Sequence, residues 1–102
     1  SFDVVMGGND PTAIGAIAAL ESRHMDKKIL IYGVDGSPDG KMMIKEGYLE
    51  GTSAQQPSEI GRIAAQKAYE YLSGKEVEKN ITVPVTLITR DNLDDFTIDG
   101  WQ

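Results

Sequence analysis

Three times within its first 57 residues the chain runs from a short strand-like stretch, through a polar turn, to a proline: Pro11, Pro38 and Pro57. A proline at these points suits the first turn of a helix, where its missing N–H has no partner to lose. Strand, turn and helix start, repeated in that order, restrict the chain to the α/β class.

Asp3 to Gly7 reads as a first strand ending in Gly7-Gly8. Asp10 is placed as the N-cap of a helix from Thr12 to about Met25, apolar almost all round and rich in alanine, as suits close packing on a sheet. Lys28 to Tyr32 is a second strand; its unbroken apolar run predicts a parallel strand covered on both faces. Ser37 and Pro38 open a second helix that Gly47 stops. Leu49 to Gln55 is a shorter, more polar strand. Pro57 then opens the clearest helix, with Ile60, Ile63, Ala64, Ala68, Tyr71 and Leu72 as its apolar stripe and Glu59, Arg62, Gln66, Lys67 and Glu70 opposite. Gly74 is its predicted stop, and Lys75 to Asn80 a polar loop. Ile81 to Thr89 is a last strand, with Pro84 demanding an edge or a bend, and Asp91 to Gln102 an acidic tail. The expected architecture is a parallel sheet with flanking helices, Rossmann-like, joined by right-handed crossovers.

Composition removes several functions. The 102 residues suit one domain with little stability margin. A net charge of −6 disfavours nucleic-acid phosphates and anionic membranes. Having no cysteine, the chain has no disulfide scaffold, thiol nucleophile, cysteine zinc site or iron–sulfur cluster. It carries no apolar run long enough for a membrane-spanning helix. No basic-then-apolar leader opens it, and Ser1 to Met6 reads as the middle of something longer.

In an open α/β sheet, ligands bind beyond the carboxyl ends of the strands. Three successive strand ends here carry Asn9, Asp35 and Gln55. An amide, a carboxylate and a second amide mix donors and acceptors without positive charge, which suits a neutral polyol and not a phosphate. The same residue types also serve as caps and turn formers. With Asp10 and Ser37 assigned to the caps, Asn9 and Asp35 are left for a ligand.

Other candidates carry less. Gly7-Gly8-Asn9 lacks the dinucleotide and P-loop spacings. His24, the only histidine, reads as a solvated helix end, and Met42-Met43 as core. Asn80-Ile81-Thr82 matches a glycosylation sequon, a pattern common by chance. Asp91, Asp94, Asp95 and Asp99 lack calcium-loop spacing and read as a solvated tail. Trp101 has the chemistry to stack on a sugar, but its place in that tail favours a loose packing contact. No metal or cofactor site is expected.

Three segments also carry a resemblance: Gly8-Asn9-Asp10-Pro11 with Ala13 and Gly15; Tyr32-Gly33-Val34-Asp35-Gly36-Ser37-Pro38-Asp39-Gly40; and Thr52-Ser53-Ala54-Gln55-Gln56-Pro57 with Ile60-Gly61. In that order they resemble the C-terminal part of periplasmic sugar-binding proteins of the ribose and galactose type, relatives of LacI-type repressor effector domains. The resemblance covers roughly residues 3 to 90. It implies two α/β lobes closing over a sugar, Asn9, Asp35 and Gln55 as sugar contacts, and no enzymatic activity. It further implies delivery to the membrane permease of an ABC transporter, in the periplasm or on a lipoprotein-type extracellular surface.

The same resemblance divides the chain. Residues 1–56 come from the C-terminal lobe, 57–83 form a crossover helix region belonging to the other lobe, and 84–102 form a returning strand and tail. A partial lobe of this kind expects the missing N-terminal lobe or a second copy as its partner, with no nucleic-acid contact from this segment. The alternatives are a LacI-type repressor core and, further off, a phosphoacceptor receiver domain with Asp35 as nucleophile.

Overall fold

A computed structural model describes residues 1–25 and 28–101. Gln102, with which the expected tail ends, lies outside the described residues. The chain forms β1 (Val4–Met6), α1 (Asp10–Ser22), β2 (Leu30–Asp35), α2 (Pro38–Lys45), β3 (Gly51–Ala54), α3 (Pro57–Leu72) and β4 (Thr86–Thr89), followed by a short 3-10 turn at Leu93–Asp95. The strands lie side by side in the order β1-β2-β3-β4. The α/β expectation holds, with one difference in direction. β1, β2 and β3 run parallel, but β4 runs antiparallel to β3, with Ala54 opposite Thr86 and Gly51 opposite Thr89.

The path of α3 explains the reversal. A parallel strand needs a crossover that packs on the sheet and returns the chain to its starting end. Instead, α3 leaves the end of β3 and buries no residue of its own. The chain comes back to the end it left, so Thr86 enters beside Ala54.

One face of the sheet is covered. Ile31, Thr52, Ala54 and Ile88 point to it and are buried. Ala13, Ile17 and Leu20, at helical spacing along α1, meet it with Ile44 of α2. Ile29, Leu49 and Leu93 complete this core. Val4, Met6, Leu30 and Leu87 alternate with the buried set and are exposed on the other face. The expectation that β2 is covered on both faces is thereby corrected: the described chain supplies helices to one side only.

The helix ends obey one rule. Met25 N–H donates to Leu20 O, Tyr48 N–H to Met43 O and Lys75 N–H to Glu70 O, each just after a left-handed residue: His24, Gly47 and Gly74. These are Schellman closures, which satisfy otherwise orphaned carbonyls. The radius of gyration is 17.1 Å, against about 13 Å for a compact domain of this length. The molecule is elongated, with extents of 59, 28 and 18 Å.

Candidate functional site at the ends of the parallel strands

The rim beyond β1, β2 and β3 rests on a buried polar knot. Asp10 has no solvent exposure. Its Oδ2 accepts from Ser37 N–H at 2.9 Å and Ser37 Oγ at 2.6 Å, and its Oδ1 from Thr52 Oγ1 at 2.6 Å. Thr52 Oγ1 in turn accepts from Gly36 N–H at 3.0 Å. One carboxylate therefore ties together the start of α1, the turn after β2 and the middle of β3. Gly33 and Gly40 make room for it: a Cβ at either position would collide with the Asp10 carboxylate.

This knot changes the assignment of caps. The N-cap of α1 is Asn9, whose Oδ1 accepts from Thr12 N–H at 2.8 Å. Asp10 stands inside the helix and faces the core. The premise that Asp10 leaves Asn9 without a capping task is corrected, because Asp10 is committed to Ser37 and Thr52. Ser37 does cap α2, accepting from Gly40 N–H.

Asp35 ends β2 with φ of 134°. A non-glycine residue held there stores about 1–3 kcal/mol, strain that clusters at functional sites. Its Oδ2 accepts a long bond from Asp10 N–H at 3.4 Å, and its Oδ1 accepts from Gln55 Nε2 at 3.0 Å. Since a carboxylate only accepts, this bond fixes which end of the Gln55 amide faces Asp35. Gln56, next along, is left-handed at φ 57°, and its amide donates to Pro84 O. That bond pins the strand leaving the sheet to the strand re-entering it.

Two open cavities share this rim. One, of about 540 Å³, is lined by Pro11, Ile14, Asp35, Ser37, Pro38, Asp39 and Trp101. The other, of about 320 Å³, is lined by Asp35, Gln55, Pro57, Ile60, Gly61 and Trp101. Both volumes fall in the range of small-molecule sites. Of the three residues expected in the site, Asp35 and Gln55 are brought into contact and line a cavity, while Asn9 stands exposed on the neighbouring rim and lines neither. Among the described residues, neither lining contains a lysine or arginine.

Sequence reasoning gave no role at the site to Thr52 or Lys41, and set aside a sugar-stacking role for Trp101 in favour of a packing contact. Thr52 and Lys41 are wholly buried. Lys41 Nζ donates to Thr97 O at 2.6 Å and to Gly100 O. Burial pushes its pKa below the ordinary lysine value, opposed by the attraction of Asp99 and Asp10. Trp101, expected as a loose tail contact, lines both cavities. Among the described residues no group of three or more metal-ligating side chains gathers. The receiver alternative would need the Asp10 carboxylate beside Asp35 for a metal, and that carboxylate is enclosed by Ser37 and Thr52.

Comparison with known proteins places this geometry. Residues 1–76 match the model of a family described as periplasmic binding protein domain. The chain is 42% identical over 89 residues to the ribose import binding protein of Bacillus subtilis, covering 87% of this chain and 28% of that protein. It is 35% identical over 97 residues to a putative rhizopine-binding protein of Rhizobium meliloti, covering 93% and 31% respectively. Among solved structures, an ABC transporter solute-binding protein from Bacillus halodurans with bound myo-inositol superposes with a TM-score of 0.86 at 30% identity, over 93% of this chain and 33% of that one. The chain thus spans under a third of the length of the curated relatives it matches.

Proposed function

Because the chain belongs to the family of periplasmic binding protein domains, we propose that it is part of the substrate-binding component of a sugar ABC importer. It would take a neutral monosaccharide or cyclic polyol by lobe closure. The observation that carries this reading is Asp35: strained at a strand end, hydrogen-bonded to Gln55, and set in the wall of cavities that no described lysine or arginine lines. A carboxylate so placed accepts from two neighbouring hydroxyls, and the Gln55 amide supplies donors and an acceptor beside it. Asn9 completes the expected trio from the next strand end. The work of such a site is binding and release, with no bond made or broken.

Residues 1–56 then belong to one lobe, and 84–102 return to it. Residues 57–83 pack with the other lobe, whose surface covers the exposed stripe of α3. The two crossings joined by Gln56 and Pro84 lie at the hinge. The closed form is the one the ligand favours, since only there do both lobes replace the sugar's water. One lobe alone meets the entropic cost of capture with half the contacts, so it binds weakly. The partners are the other lobe and a membrane permease. The compartment is the periplasm, or the outer surface of a lipoprotein-anchored form.

Calorimetry on the full-length gene product with D-ribose, D-allose, D-galactose and myo-inositol tests this. We expect saturable binding of at least one, and loss of about 10- to 100-fold in affinity for Asp35→Ala, the worth of a charge-assisted hydrogen bond. Equal binding by the variant removes Asp35 from the site. No binding by any of the four overturns the sugar reading.

A further inference from the structure

After β4 the chain makes its 3-10 turn against α2, with Leu93 buried and Phe96 half-buried against the core. Residues 97–100 then wrap the end of one side chain. Lys41 of α2 is wholly buried, and its ammonium donates to the carbonyls of both Thr97 and Gly100. Burying an ammonium is costly, and a methionine would fill the same space without that cost. What the lysine adds is a fixed point for two carbonyls three residues apart. The residue immediately after the second is Trp101.

Trp101 is 55% exposed and lines both cavities. Among the described residues lining them, only Asp35 shares that property. An indole left half in water, beside a carboxylate and an amide, offers a broad apolar face next to hydrogen-bonding groups. A sugar or cyclic polyol presents the complementary pair: a face of C–H groups and an edge of hydroxyls. Pro11, Ile14 and Pro38 extend the apolar side of the larger cavity.

We propose that Trp101 is a ligand-contacting wall of the sugar cleft, and that Lys41 is the residue that positions it by clamping the tail at Thr97 and Gly100. This inference rests on the sugar-binding reading above. The indole packs against the C–H face of the ring while Asp35 and Gln55 take its hydroxyls.

The test uses the full-length gene product and whichever of D-ribose, D-allose, D-galactose and myo-inositol binds it best. Trp101→Ala should weaken that ligand about tenfold, and Trp101→Phe, which keeps an aromatic face, within about threefold. Lys41→Met should weaken it as Trp101→Ala does, and the double variant no further. In deuterated protein with protonated tryptophan, saturation should pass from an indole to the sugar's C–H protons and be lost in Trp101→Phe. Wild-type affinity in Trp101→Ala, or saturation transfer unchanged by Trp101→Phe, overturns the role of Trp101. Further loss in the double variant overturns that of Lys41. Asp35→Ala separates the two levels. If it loses binding while Trp101→Ala does not, only this inference fails; if neither loses binding, or no sugar binds at all, the sugar reading fails with it.

Discussion

Asp10 accepts three buried hydrogen bonds, two from Ser37 and one from Thr52. Asp10→Ala strands those donors without water to replace the carboxylate, which should cost about 3 kcal/mol, read as a lowered urea midpoint. Gly40→Ala should also destabilise, because its new methyl group drives the carboxylate from its place. Lys41 gives a pH signature. Burial lowers its folded pKa below the 10.5 of the free side chain. Between the folded value and 10.5 the unfolded chain holds more protons, so the stability contributed by this group rises with pH through that alkaline window. Below the folded value it is flat. The unfolding free energy of the wild type should therefore rise relative to that of Lys41→Met as the buffer moves from neutral toward pH 10.5. A constant difference would show that burial does not perturb this lysine. At the candidate site, the meeting of Asp35 and Gln55 was legible because strand ends in an α/β sheet converge on one rim. The cap was misplaced by one residue because Asn and Asp both cap well, and only the packing of Ser37 and Thr52 shows which one faces inward. The chemistry of Trp101 was legible but its place was not, because it lies in a segment far in sequence from the strand ends; Lys41 was not legible, since nothing local marks a lysine as buried.

At the scale of elements, the three helix ends make a controlled comparison. Gly47 and Gly74 close α2 and α3 in the left-handed conformation, but His24 does so for α1 at φ 56°. A side chain there meets a steric cost that glycine avoids. His24→Gly should raise stability by about 1 kcal/mol, visible as a higher thermal midpoint, whereas Gly47→Ala and Gly74→Ala should lower it. No gain from His24→Gly would mean that the imidazole makes a compensating contact. Most elements were legible for reasons of this local kind: proline at the helix starts, glycine at two of the stops, and apolar runs between them. The direction of β4 was not. A sequence shows that α3 is amphipathic but not which surface its stripe meets, and the reversal follows from that surface lying off this sheet. The exposed side of β2 has the same origin, since a continuous apolar run looks alike whether its second cover comes from this chain or from elsewhere.

At the scale of the molecule, those two open surfaces make one prediction. Tyr69, Tyr71 and Leu72 on α3 are at least 70% exposed, and Val4, Met6, Leu30 and Leu87 line the bare face of the sheet. Apolar surface in such continuous patches marks an interaction site. In the two-lobed reading, the other lobe takes the helix stripe and additional chain takes the sheet face. Expressed alone, the 102 residues keep the folded core around Ile31, Ile44 and Ile88 but lose both covers, so two copies should exchange or share their α3 helices. Sedimentation of the isolated chain should then give a dimer or larger species. Tyr71→Ser with Leu72→Ser should shift it toward the monomer without loss of helical circular dichroism, because neither residue is buried in the single chain. In the full-length protein the two-lobed reading expects the same pair to cost stability, since it has the other lobe pack on them. A stable monomer of the unaltered 102 residues with cooperative unfolding would show that α3 needs no partner, and would remove the reason for giving it to a second lobe.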